Sequence, residues 1–97
     1  MSDTRQFEAM ARAAALAIDY RAGVATADRT PTADYATMVA AFDGPTPQHG
    51  EDGDTIIADL VERATPGIRG STGGRFFGWV IGQSHPTGVA ADWLTAA

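Results

Sequence analysis

Residues 54–97 read DTIIADLVERATPGIRGSTGGRFFGWVIGQSHPTGVAADWLTAA. This half of the chain decides the fold. Ile57, Leu60, Val61 and Ala64 recur at three- and four-residue spacing, which predicts a helix over 55–65. Asp54 is its expected N-cap, and Thr65-Pro66-Gly67 its expected end. Beyond Ile68 the period is lost among glycines. Phe76 to Ile81 is β-like in composition, but Gly78 interrupts it and weakens a regular strand. A last helical segment is expected from Thr87 to Ala97, with Val89, Trp93 and Ala97 four residues apart. It carries no C-terminal stop signal, as though the chain were cut inside a helix.

The run GRFFGWVIGQSHP at 74–86 admits several readings. It is far short of the ~20 apolar residues that span a bilayer. GSTGG at 70–74 offers free amides of the kind that bind anions. No lysine follows it, so the phosphate-loop pattern is not completed. Core packing is the expected role of Phe76 and Phe77. For Trp79, core and pocket wall remain equally open.

Working outward, residues 4–22 are expected to be helical. Phe7, Met10, Ala14, Ala17, Ile18 and Arg21 share a face, and alanine is abundant. Asp3 and Gln6 form a capping-box pattern, and Gly23 suits a positive-φ C-cap. So many small residues suit close packing against another helix. A short second helix is expected from a Thr32 cap through about Phe42, with Tyr35, Met38, Val39 and Phe42 as its apolar stripe. The loop DGPTPQHGEDGD at 43–54 holds Asp43, Glu51, Asp52, Asp54 and His49. The calcium-loop pattern needs oxygen ligands at alternate positions. Here Pro45 and Pro47 stand in two of those places. A solvated acidic loop is expected, and no metal site.

The whole-chain figures exclude other chemistries. The 97 residues suit one small domain or a piece of a larger one, and 44% apolar content is globular. The net charge is −5 and the cations are scattered, which argues against nucleic-acid binding. All seven cations are arginines. A chain without lysine has no side-chain amine for a Schiff base. There is no cysteine, hence no disulfide, thiolate nucleophile or cysteine zinc site. No signal pattern opens the chain, so a cytoplasmic protein with no membrane association is expected. Ser71, Ser84, His49 and His85 form no nucleophile elbow or metal-ligand spacing. His85 reads either as a loop imidazole before Pro86 or as a donor at a pocket edge. No catalytic constellation is written in these residues.

One ordered set of motifs goes further. A helix ends in Pro66-Gly67. A spacer leads to Phe76-Phe77-Gly78-Trp79, a turn contains Pro86, and Ala91-Asp92-Trp93-Leu94 follows. In this order the segment resembles the N-terminal region of the pyridoxal-phosphate-dependent decarboxylases that include the aromatic-amino-acid and glutamate decarboxylases. AAFDGPTPQHGED at 40–52 resembles the preceding linker of bacterial members. The resemblance implies a homodimeric carboxy-lyase acting on an amino acid. Its parent fold would be the α/β aspartate-aminotransferase type of pyridoxal-phosphate enzyme. Residues 1–53 would be a helical arm and loop, and 54–97 the start of the decarboxylase domain. Trp79, Val80, Ile81 and Gly82 would line the pocket for the substrate side chain, with Ser71 nearby. Some relatives place an aromatic, a proline and a threonine where this chain has Val80-Ile81-Gly82, so the resemblance does not fix an aromatic substrate. The cofactor lysine of such enzymes lies further along than the motifs found here. These residues are therefore expected to supply no catalytic or cofactor-binding group, and the chain alone to be inactive. By itself the segment is expected to be mainly α, with three or four helices and a short extended glycine-rich stretch. The competing reading is a stand-alone helical module for dimerisation or another protein interaction.

Overall fold

A computed structural model describes residues 4–27, 30–72 and 84–97. Among them the chain is helical and contains no strand. Helix α1 spans Arg5–Gly23, α2 Tyr35–Phe42, α3 Gly53–Ala64 and α4 Pro86–Ala96. A 3-10 turn over Thr65–Gly67 extends α3. The mainly helical expectation holds. The extended stretch expected at 76–81 lies outside the described residues.

The helix ends depart from expectation for identifiable reasons. Asp3 lies outside the described residues, and Thr4 takes the N-cap position of α1, with no capping bond from its side chain to the helix. Gly23 stays within the helix, and Val24 continues it with φ −65° and ψ −27°. The helix leaves through bonds from Val24 N to Arg21 O and from Thr26 N to Gly23 O, rather than through a left-handed glycine. Val24, 8% exposed, is the one buried apolar side chain among the described residues.

Asp34, not Thr32, caps α2, its Oδ1 accepting from Thr37 N at 2.8 Å. Thr32 is otherwise engaged. The N–H groups of Thr32 and Ala33 donate to the Pro66 carbonyl at 2.9 and 3.0 Å, using both of its lone pairs. Helix α3 starts two residues earlier than expected, with Asp52 at the N-cap and Asp54 inside the first turn. Asp52 makes no capping bond because its carboxylate is taken by Arg5. In α4, Pro86 occupies the first turn, where its missing N–H costs nothing. Gly44, with φ +153°, supplies the turn after α2 that a side chain would strain.

Helices α1 and α2 form an open layer around α3. Helix α1 packs along α3, and α2 packs on α3 and the 3-10 turn. Arg5 meets Asp52 at the start of both long helices, while Arg21 reaches Thr72 beyond the end of α3. The two helices therefore run in the same direction. Contact is close: a Cβ on Gly53 would stand 3.1 Å from Ala9 Cβ. Ala9, Ala13, Leu16 and Ala17 are half-buried. The expected apolar face of α1 does not turn inward as a whole, because Phe7, Met10 and Ile18 are 57, 59 and 60% exposed. Small residues on the other side allow the backbones to approach, and the large ones are left facing out.

The remaining stripes are only partly used. Met38 of α2 is half-buried against Gly67, where an added Cβ would come within 2.8 Å of Met38 Cε. Tyr35, Val39 and Phe42 are exposed. In α3, Ile57, Val61 and Ala64 are half-buried as expected, but Leu60 is exposed. Trp93 and Leu94 of α4 are also exposed. The radius of gyration is 15.6 Å, against about 13 Å for a compact domain of about 100 residues.

Candidate functional site

Four of the five residues expected at a substrate wall, Trp79, Val80, Ile81 and Gly82, lie outside the described residues. So do Phe76 and Phe77. The fifth, Ser71, is half-buried, and its N–H donates to the Arg69 carbonyl at 2.7 Å. It follows the buried Gly70 and precedes Thr72, whose carbonyl accepts from Arg21 Nη1 at 3.0 Å. This tight turn is thus held against the C-terminal end of α1. Nothing in the sequence around Ser71 announces that anchor, since its donor lies 51 residues away.

Among the described residues, three buried side-chain polar atoms have no hydrogen-bond partner: Arg21 Nε, Thr72 Oγ1 and Ser84 Oγ. Two of them belong to the residues that clamp the Ser71 turn. Arg21 was expected only as a member of the α1 stripe. Its position in the last turn of the helix, where a cation is favourable, was the only signal available from sequence.

His85 resolves toward a structural role. Its Nδ1 accepts from Thr87 N at 3.1 Å, so the imidazole caps α4. That bond requires an unprotonated Nδ1 and leaves the ring proton of the neutral form on Nε2. The acidic loop also has structural work. Both carboxylate oxygens of Asp52 accept from Arg5 Nη2, at 2.8 and 2.7 Å, and Asp54 lies 3.6 Å from Arg12. No group of three or more potential metal ligands occurs among the described residues. A shallow depression of about 200 Å³ beside these pairs is lined by Arg5, Gln6, Glu8, Glu51, Asp52 and Gly53. Its lining sets one arginine against three acids, Glu8, Glu51 and Asp52, and does not include Ser71.

No helix of the described residues is long and apolar enough to cross a membrane. No family model, curated protein or solved structure matches the chain.

Proposed function

We propose that the chain is the N-terminal part of a pyridoxal-phosphate-dependent amino-acid decarboxylase. The observation that carries this reading is the ordered series Pro66-Gly67, Phe76-Phe77-Gly78-Trp79, Pro86 and Ala91-Asp92-Trp93-Leu94. In this proposal the parent is a cytoplasmic homodimer of the aspartate-aminotransferase fold type. Trp79, Val80, Ile81, Gly82 and Ser71 form the side of the pocket that receives the substrate side chain. A wall of this kind orients the amino acid and keeps water from the reacting carbon.

The cofactor does not fit these residues as a covalent ligand. Seven arginines account for every Lys and Arg of the chain, so there is no lysine to hold it. No chemical step is assigned to this chain. Its own contribution is packing and enclosure. The exposed Phe7, Met10 and Ile18 support the packing part, because a partner surface is the ordinary reason for a helix to show a second apolar stripe.

Reading the gene on the 3′ side of the Ala97 codon tests the proposal. An open frame leading to a Ser/Asn-x-His-Lys-like cofactor site is expected. An authentic stop codon in an intact gene would contradict it.

The same exposed stripe favours a second reading, a stand-alone helical dimerisation module. The two readings differ in the behaviour of the purified chain. A monodisperse oligomer that unfolds cooperatively supports the module. Polydisperse association or molten packing supports the decarboxylase part.

A further inference from the structure

We propose that His85 makes α4 an acid-released helix, formed while the imidazole is neutral and unwound when it takes up a proton. His85 serves every N–H that the first turn of α4 presents. Pro86 has none to offer. The N–H of Thr87 donates to His85 Nδ1 at 3.1 Å, and those of Gly88 and Val89 donate to the His85 carbonyl at 3.0 and 3.3 Å. A protonated Nδ1 is itself a donor and cannot accept from Thr87. The added positive charge also stands at the end of the helix where the dipole is already positive. Loss of the cap and repulsion by the dipole act in the same direction.

A lost cap is tolerated where packing holds a helix in place. Helix α4 has little such support. It is 11 residues long, and isolated helices below about 12–15 residues are marginal. Helices α1, α2 and α3 make no extended contact with it. Gly88 in its first turn lowers its helix propensity further. No acid stands in that turn to offset an imidazolium. Asp92, two turns on, is the one ionisable side chain within the helix. Among the described residues no ion pair joins an acid to His85. The cap therefore acts in full while the imidazole is neutral and is lost as pH falls through the histidine range, about 6.5 for an ordinary side chain. Helix α2 gives the contrast, because its cap Asp34 keeps an accepting carboxylate down to below 3.8. What acid takes apart is an apolar face, since the helix is what aligns Val89 with the exposed Trp93. The inference does not depend on the decarboxylase reading, and its test requires no cofactor.

The experiment follows the Cα chemical shifts of residues 86–96 in the labelled 97-residue chain by NMR, from about pH 7.5 to about pH 5, across the histidine range. The ratio of helical to unwound α4 is expected to fall about fivefold or more, in step with the His85 Hε1 signal, while α1 and α2 keep their shifts. His85→Asn supplies a capping oxygen that takes no charge, and is expected to hold α4 helical throughout. His85→Ala is expected to leave α4 largely unwound at both ends of the range. Wild-type α4 shifts that stay constant while the His85 signal titrates overturn the proposal whether or not the variants fold. So does an acid loss of the same size in His85→Asn, or a helix as well formed at about pH 7.5 in His85→Ala as in wild type.

Discussion

Along one side of α1 run Ala9, Ala13, Leu16 and Ala17, half-buried, with Ala9 against Gly53 of α3. Along another run Phe7, Met10 and Ile18, each more than half exposed. The larger side chains would give more hydrophobic stabilisation if buried, at about 25 cal/mol per Å². Yet the small ones are chosen for the intramolecular contact. Close approach explains the choice: with Ala9 against Gly53, the backbones come near enough for Arg5 and Arg12 to reach Asp52 and Asp54. Side-chain size therefore does not by itself tell which face of a helix is internal. A chain can reserve its largest apolar residues for another surface.

The largest expected effect comes from filling the close face. Ala9→Leu inserts three carbons where Gly53 already leaves no slack, and overpacking of this kind costs roughly 1–3 kcal/mol. Urea denaturation followed by circular dichroism measures it. An unchanged midpoint would mean that α1 does not pack through its alanines. Next in size is the ionic edge of that face. Arg5→Ala removes an exposed pair and is expected to cost at most about 1 kcal/mol at low salt. In 1 M NaCl the difference from wild type should largely disappear, since screening is nearly complete there. A salt-independent loss would point to packing by the arginine stem instead.

Asp34→Ala tests a region that leaves both faces of α1 intact. Thr37, through its side chain first and its backbone N–H second, holds the Asp34 carboxyl below its usual value of 3.8. A group with a lowered folded value stabilises the fold above the unfolded value. That contribution is lost as pH falls through the folded value. Wild type should therefore lose α2 helicity on acidification below pH 3.8, while Asp34→Ala should already lack that contribution at neutral pH and show a flatter acid limb. NMR chemical shifts of residues 35–42 report it. Equal acid limbs would dismiss the cap as a stabilising element.

The helices themselves were legible because periodicity survives within each short segment. Ile57, Val61 and Ala64 did turn inward. Caps were less legible, because capping residues compete for several partners. Thr32 is drawn to the Pro66 carbonyl, and the cap passes to Asp34. Asp52 takes the cap position of α3 but gives its carboxylate to Arg5. The face of α1 was not legible, since Phe7, Met10 and Ile18 form as good a stripe as the alanines. Of the candidate site, only a resemblance pointed to Ser71. The clamp by Arg21 joins residues 51 apart, a relation that no local pattern encodes.

The smallest effect on folding is expected from the outer face, and its effect on association from the same substitution should be the clearest. Sedimentation velocity of wild type and the double variant Phe7→Asp/Ile18→Asp, over a range of concentrations, tests the two-faced helix most directly. Wild type is expected to associate in a concentration-dependent way that the double variant lacks, with helical content retained and stability within about 0.5 kcal/mol. Association that persists in the double variant, or a variant that unfolds as Ala9→Leu is expected to, would contradict it.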